Sequence, residues 1–600
     1  MRTSIATVCL SGTLAEKLRS ASDAGFQGVE IFEQDLTVSP HSPEQIRERA
    51  EQLGLTIELF QPFRDFEGVE QELFRKNLRR LEAKFQLMQR LGCKMILLCS
   101  NVATATINDD EVVAQQLNEA GKLAERYDMW IAYEALAWGK FVNTFRHSYD
   151  IVMKAAHRRI GVCLDSFHIL SRNDDPAGIA ELDADKIFFV QLADAPRKDM
   201  NLLDWSRHSR VFPGEGELNL PKFVSYLKKY SGPLSLEIFN DSFREADALR
   251  TAIDGQRSLR WVADQAGLCR LPDAPQSLAY NFVELKTGNV GEVSKILHQL
   301  GFRLGGYHRR KTDFQVWRAG EITVVVQDLG PNGAPAELTA LGISVNSSEG
   351  AIQRARQLGV RQVERSEEEG EIRLPAVYAP DGTEIYFCDS GHKWLSEFHA
   401  VQKAEPSILT GIDHVTLAQP WHRLDEARLF FTSLLGLEAS PVEQVPTPAG
   451  LVTSQSMEGG IRLALNVAPE ASEQGDFLVA SYPEHLTFNT DNAIECARQC
   501  RSRGLNILEI PDNYYDDLTA RYDLPEKFIN TYRDLNLLYD RDDQGEYLHF
   551  YTENFGDSGN IYVEIAQRIN GYRGYGWANS AVRLAAQYRV LRDHTRGIPT

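Results

Sequence analysis

No run of about 18 apolar residues occurs in these 600 residues, which excludes a membrane-spanning helix and with it a membrane role. Cysteine is sparse: the eight, at 9, 93, 99, 163, 269, 388, 496 and 500, include no CxxC pair. That argues against a disulfide scaffold and for a reducing compartment, so a cytoplasmic location is expected. Cys496 and Cys500 share a helix face and are expected to be buried small apolar residues rather than a redox pair. Basic charge is in deficit, 64 Lys and Arg against 84 Asp and Glu, and the net −20 repels phosphodiester backbones. Nucleic acid is therefore excluded as a partner. No GxGxxG follows the first strand, so a dinucleotide-binding open sheet is not indicated. The opening MRTSIATVCLSGTLAEKL lacks a small-residue cleavage site and is expected to be the first strand of the fold rather than a signal peptide.

What is present is an ordinary globular composition, 43% apolar and 25% charged, in a chain too long for one hydrophobic core. Apolar strand-like runs alternate with helix-period segments eight times, near 3–10, 28–32, 56–61, 94–100, 130–136, 160–166, 186–194 and 233–240. Eight βα units within residues 1–265 predict an α/β TIM barrel. Ser42-Pro43-Glu44-Gln45 supplies a hydroxyl cap, a first-turn proline and a returning Gln, which starts a helix near residue 43.

Four oxygen-bearing side chains end successive strands: Glu134 in WIAYEALAWG, Asp165 in IGVCLDSFH, Gln191 in KIFFVQLAD and Glu237 in PLSLEIFN. Alternation turns Glu134 to the same face as Ala132, and Glu237 to that of Ser235. Strand carboxyl ends share one mouth in such a barrel, so these four are predicted to hold a divalent cation. Oxygen donors without Cys favour Mg²⁺ or Mn²⁺, with Co²⁺ tolerated.

GFQGVEIFEQD, the Glu134 strand, LDSFH and GEGELNLPKF resemble the xylose isomerase-like family of metal-dependent barrels. EALAWG, CLDSFHI, the Gln on strand seven and the fusion to a second domain further resemble the bacterial hybrid 3-dehydroshikimate dehydratases. The resemblance implies a small-molecule substrate, 3-dehydroshikimate, whose ketone and adjacent hydroxyl suit chelation while a base removes the intervening proton. His168, three residues past Asp165, is the candidate base, with an ordinary pKa of about 6.5; the alternative is that it only orients a metal ligand. Arg64, Arg207 and Arg210 are candidate partners for the substrate carboxylate, and His208 an alternative acid. A sugar or hydroxy-keto acid isomerase or epimerase is the competing reading, because the same barrel serves both chemistries.

Periodicity breaks over 266–278, where Gly267, Pro272 and Pro275 suggest a linker. From 279 to 600 the chain repeats itself in halves of about 279–395 and 410–600: LAYNFVELK answers GIDHVTLAQ, and ISVNSSEGAIQRARQLG answers LTFNTDNAIECARQCRSRG. Four βαβββ-like modules, an α+β fold, are expected. His414, His485 and Glu564 occupy positions that are Phe282, Gly342 and Cys388 in the first half. Two His and a carboxylate form the facial triad of non-haem Fe(II) oxygenases. With IPDNYYDDL and VEIAQR, this half of the chain resembles 4-hydroxyphenylpyruvate dioxygenase of the vicinal oxygen chelate superfamily. A bound Fe²⁺ or Mg²⁺ is implied. His549 stands where that family has a Gln, and GYRGYGWANSAVRL replaces its glycine-rich stretch, so a structural or unassigned role is expected, with Fe(II) dioxygenase activity as the alternative. A second domain with a degenerate first half is expected to supply a homo-oligomer interface.

Overall fold

The computed structural model describes residues 2–276, 278–331, 333–364, 371–399, 406–420, 422–448, 450–467, 484–555 and 561–595. The chain divides into two compact units, one of Met1–Leu271 with Gln357–Gly359 and one of Pro272–Arg356 with Val360–Thr600. No helix of the described residues is long and apolar enough to cross a membrane.

The first unit is a closed barrel of eight parallel strands in sequential order: β1 (Thr3–Ala6), β2 (Gly28–Phe32), β3 (Thr56–Phe63), β4 (Met95–Cys99), β5 (Trp130–Glu134), β6 (Ile160–Asp165), β7 (Ile187–Leu192) and β8 (Leu234–Leu236). Leu59, Leu97, Cys99, Ala132, Cys163 and Phe189 point inward and fill the barrel, while the other strand face packs under the surrounding helices. The Ser42 hydroxyl and Gln45 side chain form the expected capping box on the helix Pro43–Gln52. Two strands, β1 and β8, end four residues short of their apolar runs. β1 gives way to a 3₁₀ turn over Thr7–Cys9. β8 stops at Leu236 because the chain beyond it pairs with the insert after β7 instead: Arg210 N–H donates to the Phe239 carbonyl (3.3 Å), and Ser209 bridges Asn240.

The second unit holds a seven-stranded and a nine-stranded sheet among the described residues. Their central strands repeat one pattern. Ala279–Thr287 lies parallel to Ile322–Asp328 and antiparallel to Glu337–Ser344, which is parallel to Glu384–Cys388. Leu409–Gln419 likewise lies parallel to Arg462–Val467 and antiparallel to Glu484–Thr490, which is parallel to Ile561–Ile569. This is the internal repeat expected from the sequence, and it sets His414, His485 and Glu564 on three adjacent strands.

Candidate active site and metal centres

Glu134 ends β5, Asp165 ends β6, and Glu237 follows β8 directly, so three strands deliver three buried carboxylates to one rim. The Asp165 Oδ1 accepts from the backbone N–H groups of Phe167 (2.6 Å) and His168 (3.2 Å), capping the short helix that carries His168. Asp165 Oδ2 and Glu237 Oε2 instead accept from one donor, Arg210 Nη1, at 2.8 and 3.0 Å. Ser206 Oγ accepts from the other edge of the same guanidinium, 3.2 Å from Nε and 2.8 Å from Nη2. Among the described residues Glu134 Oε2 accepts only a thiol, Cys99 Sγ–H at 3.3 Å, and its Oε1 has no hydrogen-bond partner.

Three buried carboxylates against one guanidinium leave negative charge without compensation, which is costly away from water. Burial, then the charges of Glu237 and Asp165, push the Glu134 carboxyl well above its ordinary range. Burial also raises Glu237, with Arg210 opposing, whereas at Asp165 the guanidinium and the donated hydrogen bonds outweigh burial and hold the carboxyl low. Glu134, Asp165 and His168 each offer a ligand atom within 4.8 Å of the others. An orphaned carboxylate oxygen beside two further buried carboxylates that share one guanidinium fits a hard divalent cation.

His168 departs from an ordinary imidazole. Burial, with the Arg210, Arg64 and Arg207 charges adding and Asp165 opposing, pushes its pKa down to about 3. Ala137 N–H is 3.1 Å from Nδ1 and Arg210 Nη2 is 3.3 Å from Nε2, and a neutral ring has a lone pair for only one of these two donors. The ring is thus held neutral, with Nε2 toward the carboxylates, 3.9 Å from both Glu134 Oε1 and Asp165 Oδ2. Trp138 meets it edge-on at 5.0 Å.

The other rim expectations divide. Gln191 lies beside Asp165 in the β6–β7 register and is fully buried, but its amide belongs to a network in the barrel floor: Nε2 donates to Glu30 Oε2 at 2.6 Å, and Oε1 accepts from Cys163 Sγ–H at 3.4 Å. Arg210 is corrected as a carboxylate fork for substrate, since Asp165, Glu237 and Ser206 already engage its guanidinium. Arg64 and Arg207 differ, for neither makes a side-chain hydrogen bond or ion pair among the described residues. Arg207 stacks over Phe239 at 5.0 Å, and its pKa is lowered by burial and by Arg64. Both line a cleft with Glu134, His168 and Glu237, and both also border an outer cavity of about 610 Å³. His208 is exposed and bonded to Asp241 at 2.8 Å, outside the cluster. The buried floor carboxylate of Glu30 was not anticipated. Burial, then the Glu237 charge, push it upward, while donors from Ser235, Gln191 and Gln61 pull it down.

In the second unit, His414 Nε2, His485 Nε2 and Glu564 Oε2 form a triangle with edges of 3.3, 3.5 and 3.4 Å. Metal–ligand bonds of about 2.1 Å imply edges of about 3.0–3.4 Å, so these donors fit one ion. Asp413 Oδ2 lies 2.7 Å from His414 Nδ1 and fixes the hydrogen there, which leaves the Nε2 lone pair aimed inward. Arg568 holds Asp413 with two bonds, 2.8 and 2.7 Å. Burial pushes His485 down to about 4, while the adjoining His485 and His549 rings outweigh burial at Glu564 and hold its carboxyl well below the ordinary range. His549 Nδ1 is 2.7 Å from Glu564 Oε1, and Asn579 Nδ2 is 3.0 Å from its Nε2, so both its nitrogens are occupied. In the first half, Phe282 fills the corresponding space: a Cβ on Gly342 would stand 2.2 Å from its ring.

A third cluster, His308 with Glu371 and Glu397, has similar spacing but the wrong tautomer. The N–H groups of Arg310 (3.2 Å) and Lys311 (3.0 Å) donate to His308 Nδ1, so Nε2 carries the hydrogen and points it at Glu397 Oε2, 3.3 Å away. No lone pair is left for a metal.

Fold and site together define a barrel of the xylose isomerase-like class joined to a dioxygenase-like unit. Residues 18–260 match the family model of the xylose isomerase-like TIM barrel, and 274–396 that of the hydroxyphenylpyruvate dioxygenase N-terminal region. The 3-dehydroshikimate dehydratase of Pseudomonas putida is 40% identical over 99% of both chains. That of Pseudomonas aeruginosa is 39% identical over 99% of this chain and all of its own. A solved xylose isomerase-like TIM barrel/4-hydroxyphenylpyruvate dioxygenase fusion protein superposes with a TM-score of 0.89 at 39% identity, covering 98% of this chain and 99% of its own. The chain belongs to this family of fused 3-dehydroshikimate dehydratases.

Proposed function

We propose that the barrel is a lyase that dehydrates 3-dehydroshikimate to the catechol acid protocatechuate. The observation that carries this reading is the pairing, in one cleft, of an under-compensated carboxylate cluster with two guanidiniums that have no ion-pair partner among the described residues. One end suits a cation with vicinal oxygens, the other a carboxylate. Glu134, Asp165 and Glu237, with the Gln191 oxygen, would hold Mg²⁺ or Mn²⁺, with Co²⁺ tolerated; the ion supplies Lewis-acid charge to the ketone and its neighbouring hydroxyl.

Arg64 and Arg207 bind the substrate carboxylate by charge-assisted hydrogen bonds and so fix the ring's orientation. His168 takes the proton from the carbon beside the ketone at Nε2, the ring nitrogen that faces the cluster. Its depressed pKa keeps it unprotonated at neutral pH, and Arg210 Nη2 selects the tautomer whose lone pair is on Nε2, against the Ala137 N–H, which favours a lone pair on Nδ1. The proton then leaves with the β-hydroxyl as water, and tautomerisation completes the aromatic ring. Trp138 and Phe239 line the cleft and limit water.

On the same reading, the second unit holds Fe²⁺ or Mg²⁺ at His414, His485 and Glu564 with a structural or unassigned role, supported by the engagement of His549 with Glu564 and Asn579. Mixing full-length protein, 3-dehydroshikimate and Mg²⁺ should produce a catechol ultraviolet spectrum that chelator abolishes. Glu134→Ala should lose it, and His414→Ala should keep it. No catechol at high enzyme concentration would refute the dehydratase, and oxygen uptake with 4-hydroxyphenylpyruvate and Fe²⁺ would support a dioxygenase instead.

A further inference from the structure

We propose that the Thr487 hydroxyl is a fourth donor to the metal of the second unit, beside His414, His485 and Glu564; this rests on the reading of that unit as a metal site. The strand register carries the inference. His414 on Leu409–Gln419 pairs with Thr487 on Glu484–Thr490, and Thr487 pairs in turn with Glu564 on Ile561–Ile569. Two of the three donors therefore flank Thr487 in one row across three strands. His485, two residues before Thr487, shares its face and stands in the adjoining row between Thr416 and Tyr562. An ion that reaches both ends of the first row, and His485 as well, lies over the middle member of that row.

The distances agree. Thr487 is fully buried, and its Oγ1 lies 3.0 Å from His414 Nε2 and 2.9 Å from Glu564 Oε2, at least as close as the triad's donor atoms lie to one another. Its one hydrogen is directed to Glu564, and a hydroxyl keeps two lone pairs besides. The His414 Nε2 lone pair also points inward, so two lone-pair atoms face each other at 3.0 Å. That contact is repulsive until a cation binds both, and it is the spacing that two ligands of one ion take. Thr416 differs: among the described residues its Oγ1 reaches His485 Nε2 alone, at 3.1 Å. The consequence is for what the second unit can do. Three donors leave an octahedral ion three open positions, as in the facial-triad oxygenases. A fourth leaves two, and adds a hard oxygen that suits Mg²⁺ over Fe²⁺. Thr487 thus turns the site from oxygen chemistry toward a structural ion.

The test is Mn²⁺ binding to full-length Glu134→Ala protein, in which the barrel cluster is disabled, counting only the ions that His414→Ala releases. Affinity is read from the free-Mn²⁺ electron paramagnetic resonance signal. The number of waters on the bound ion is read, at saturating Mn²⁺, from line broadening in ¹⁷O-enriched water. Thr487→Val keeps the shape and removes the oxygen; it is expected to weaken binding by about 10-fold or more, the scale of lost metal partners, and to admit one further water. Thr487→Ser, which keeps the hydroxyl, should stay within about 3-fold of the parent with the water count unchanged, and so should Thr416→Val. Parental affinity in Thr487→Val would overturn the proposal. So would a loss of affinity at an unchanged water count, since a hydroxyl that only orients Glu564 gives up no position on the ion. If His414→Ala releases no Mn²⁺, the metal reading of the second unit fails and this inference with it. Thermal melts in chelator, where a ligand has nothing to bind, separate lost affinity from lost fold.

Discussion

At the scale of single residues, the three candidate arginines have different surroundings and should fail differently when changed. Arg64 and Arg207 have no ion-pair partner to lose among the described residues, so Arg64→Ala and Arg207→Ala should each raise KM about 10- to 100-fold with a smaller change in kcat, the value of one charge-assisted hydrogen bond. Arg210→Ala should instead lower kcat and also stability, by about 3–5 kcal/mol for the metal-free protein, because it strands Asp165 and Glu237. Steady-state kinetics and melts distinguish the two patterns; equal KM effects at all three would contradict the assignment. Glu67 gives a pH test away from the rim. Its Oε1 accepts from Asn101 N–H (2.7 Å) and Tyr133 Oη–H (3.0 Å), while Oε2 is buried with no hydrogen-bond partner among the described residues. Burial, against these bonds, pushes its carboxyl from 4.5 to about 7. The folded pKa is raised, so its contribution to stability is full below pH about 4.5 and is lost as pH rises through about 7, in all about 3 kcal/mol as an order of magnitude. Glu67→Gln should flatten that slope: the melting-temperature difference between variant and wild type should grow in the variant's favour from pH 5 to 8. A constant difference would show that Glu67 is not the titrating group.

Among the elements, the turn after β3 controls the Arg64 guanidinium, and the helix Gln71–Leu91 holds that turn. Asn77 Nδ2 donates to the carbonyls of Asp65 and Phe66, both at 3.0 Å, and Arg80 reaches those of Arg64 (3.3 Å) and Asp65 (3.4 Å) while stacking over Phe63 at 5.0 Å. Asp65 itself has a left-handed φ of 56°, a conformation that needs such support. Asn77→Ala should therefore raise KM about 5- to 30-fold, the worth of one or two hydrogen bonds, with kcat largely kept. A fall in kcat at unchanged KM would show that the turn does not act through Arg64. Elements of this kind were only partly legible in the sequence. The eight strands were, because apolar runs such as IGVCLD recur between helix-period segments, and strand ends named Glu134, Asp165 and Glu237 directly. Glu30 was not: a lone glutamate in GVEIF looks like any alternating strand residue until barrel closure brings it to Gln191, 161 residues away, and Ser235, 205 residues away. Arg210 was misjudged for the same reason, since its partners lie 45 and 27 residues off. In the second unit the repeat located His414 and His485, but only hydrogen-bond direction separates them from His308.

For the molecule as a whole, charge works at two ranges with opposite sign. The chain carries −20, which repels an anionic substrate, yet the barrel mouth places Arg64, Arg80, Lys84 and Arg207 around one cavity with only Glu33 opposing. Which sign the substrate meets depends on how far the field reaches. At 0.01 M ionic strength the screening length is about 30 Å, comparable to a domain, and the net negative charge is felt on approach. At about 0.1 M it shrinks to about 10 Å, so the distant acidic surface is screened while the mouth still attracts. Near 1 M, at about 3 Å, even contact pairs with Arg64 and Arg207 weaken. The expected outcome is a kcat/KM that rises from 0.01 to about 0.1 M salt and falls toward 1 M, with a maximum between. Lys84→Gln together with Arg80→Gln should lower kcat/KM near 0.1 M and flatten the maximum by weakening the local attraction, while the fall toward 1 M, which rests on Arg64 and Arg207, persists. A steady fall from the lowest salt in the wild type would mean that the mouth governs encounter at every range and that the acidic surface does not reach the approaching substrate.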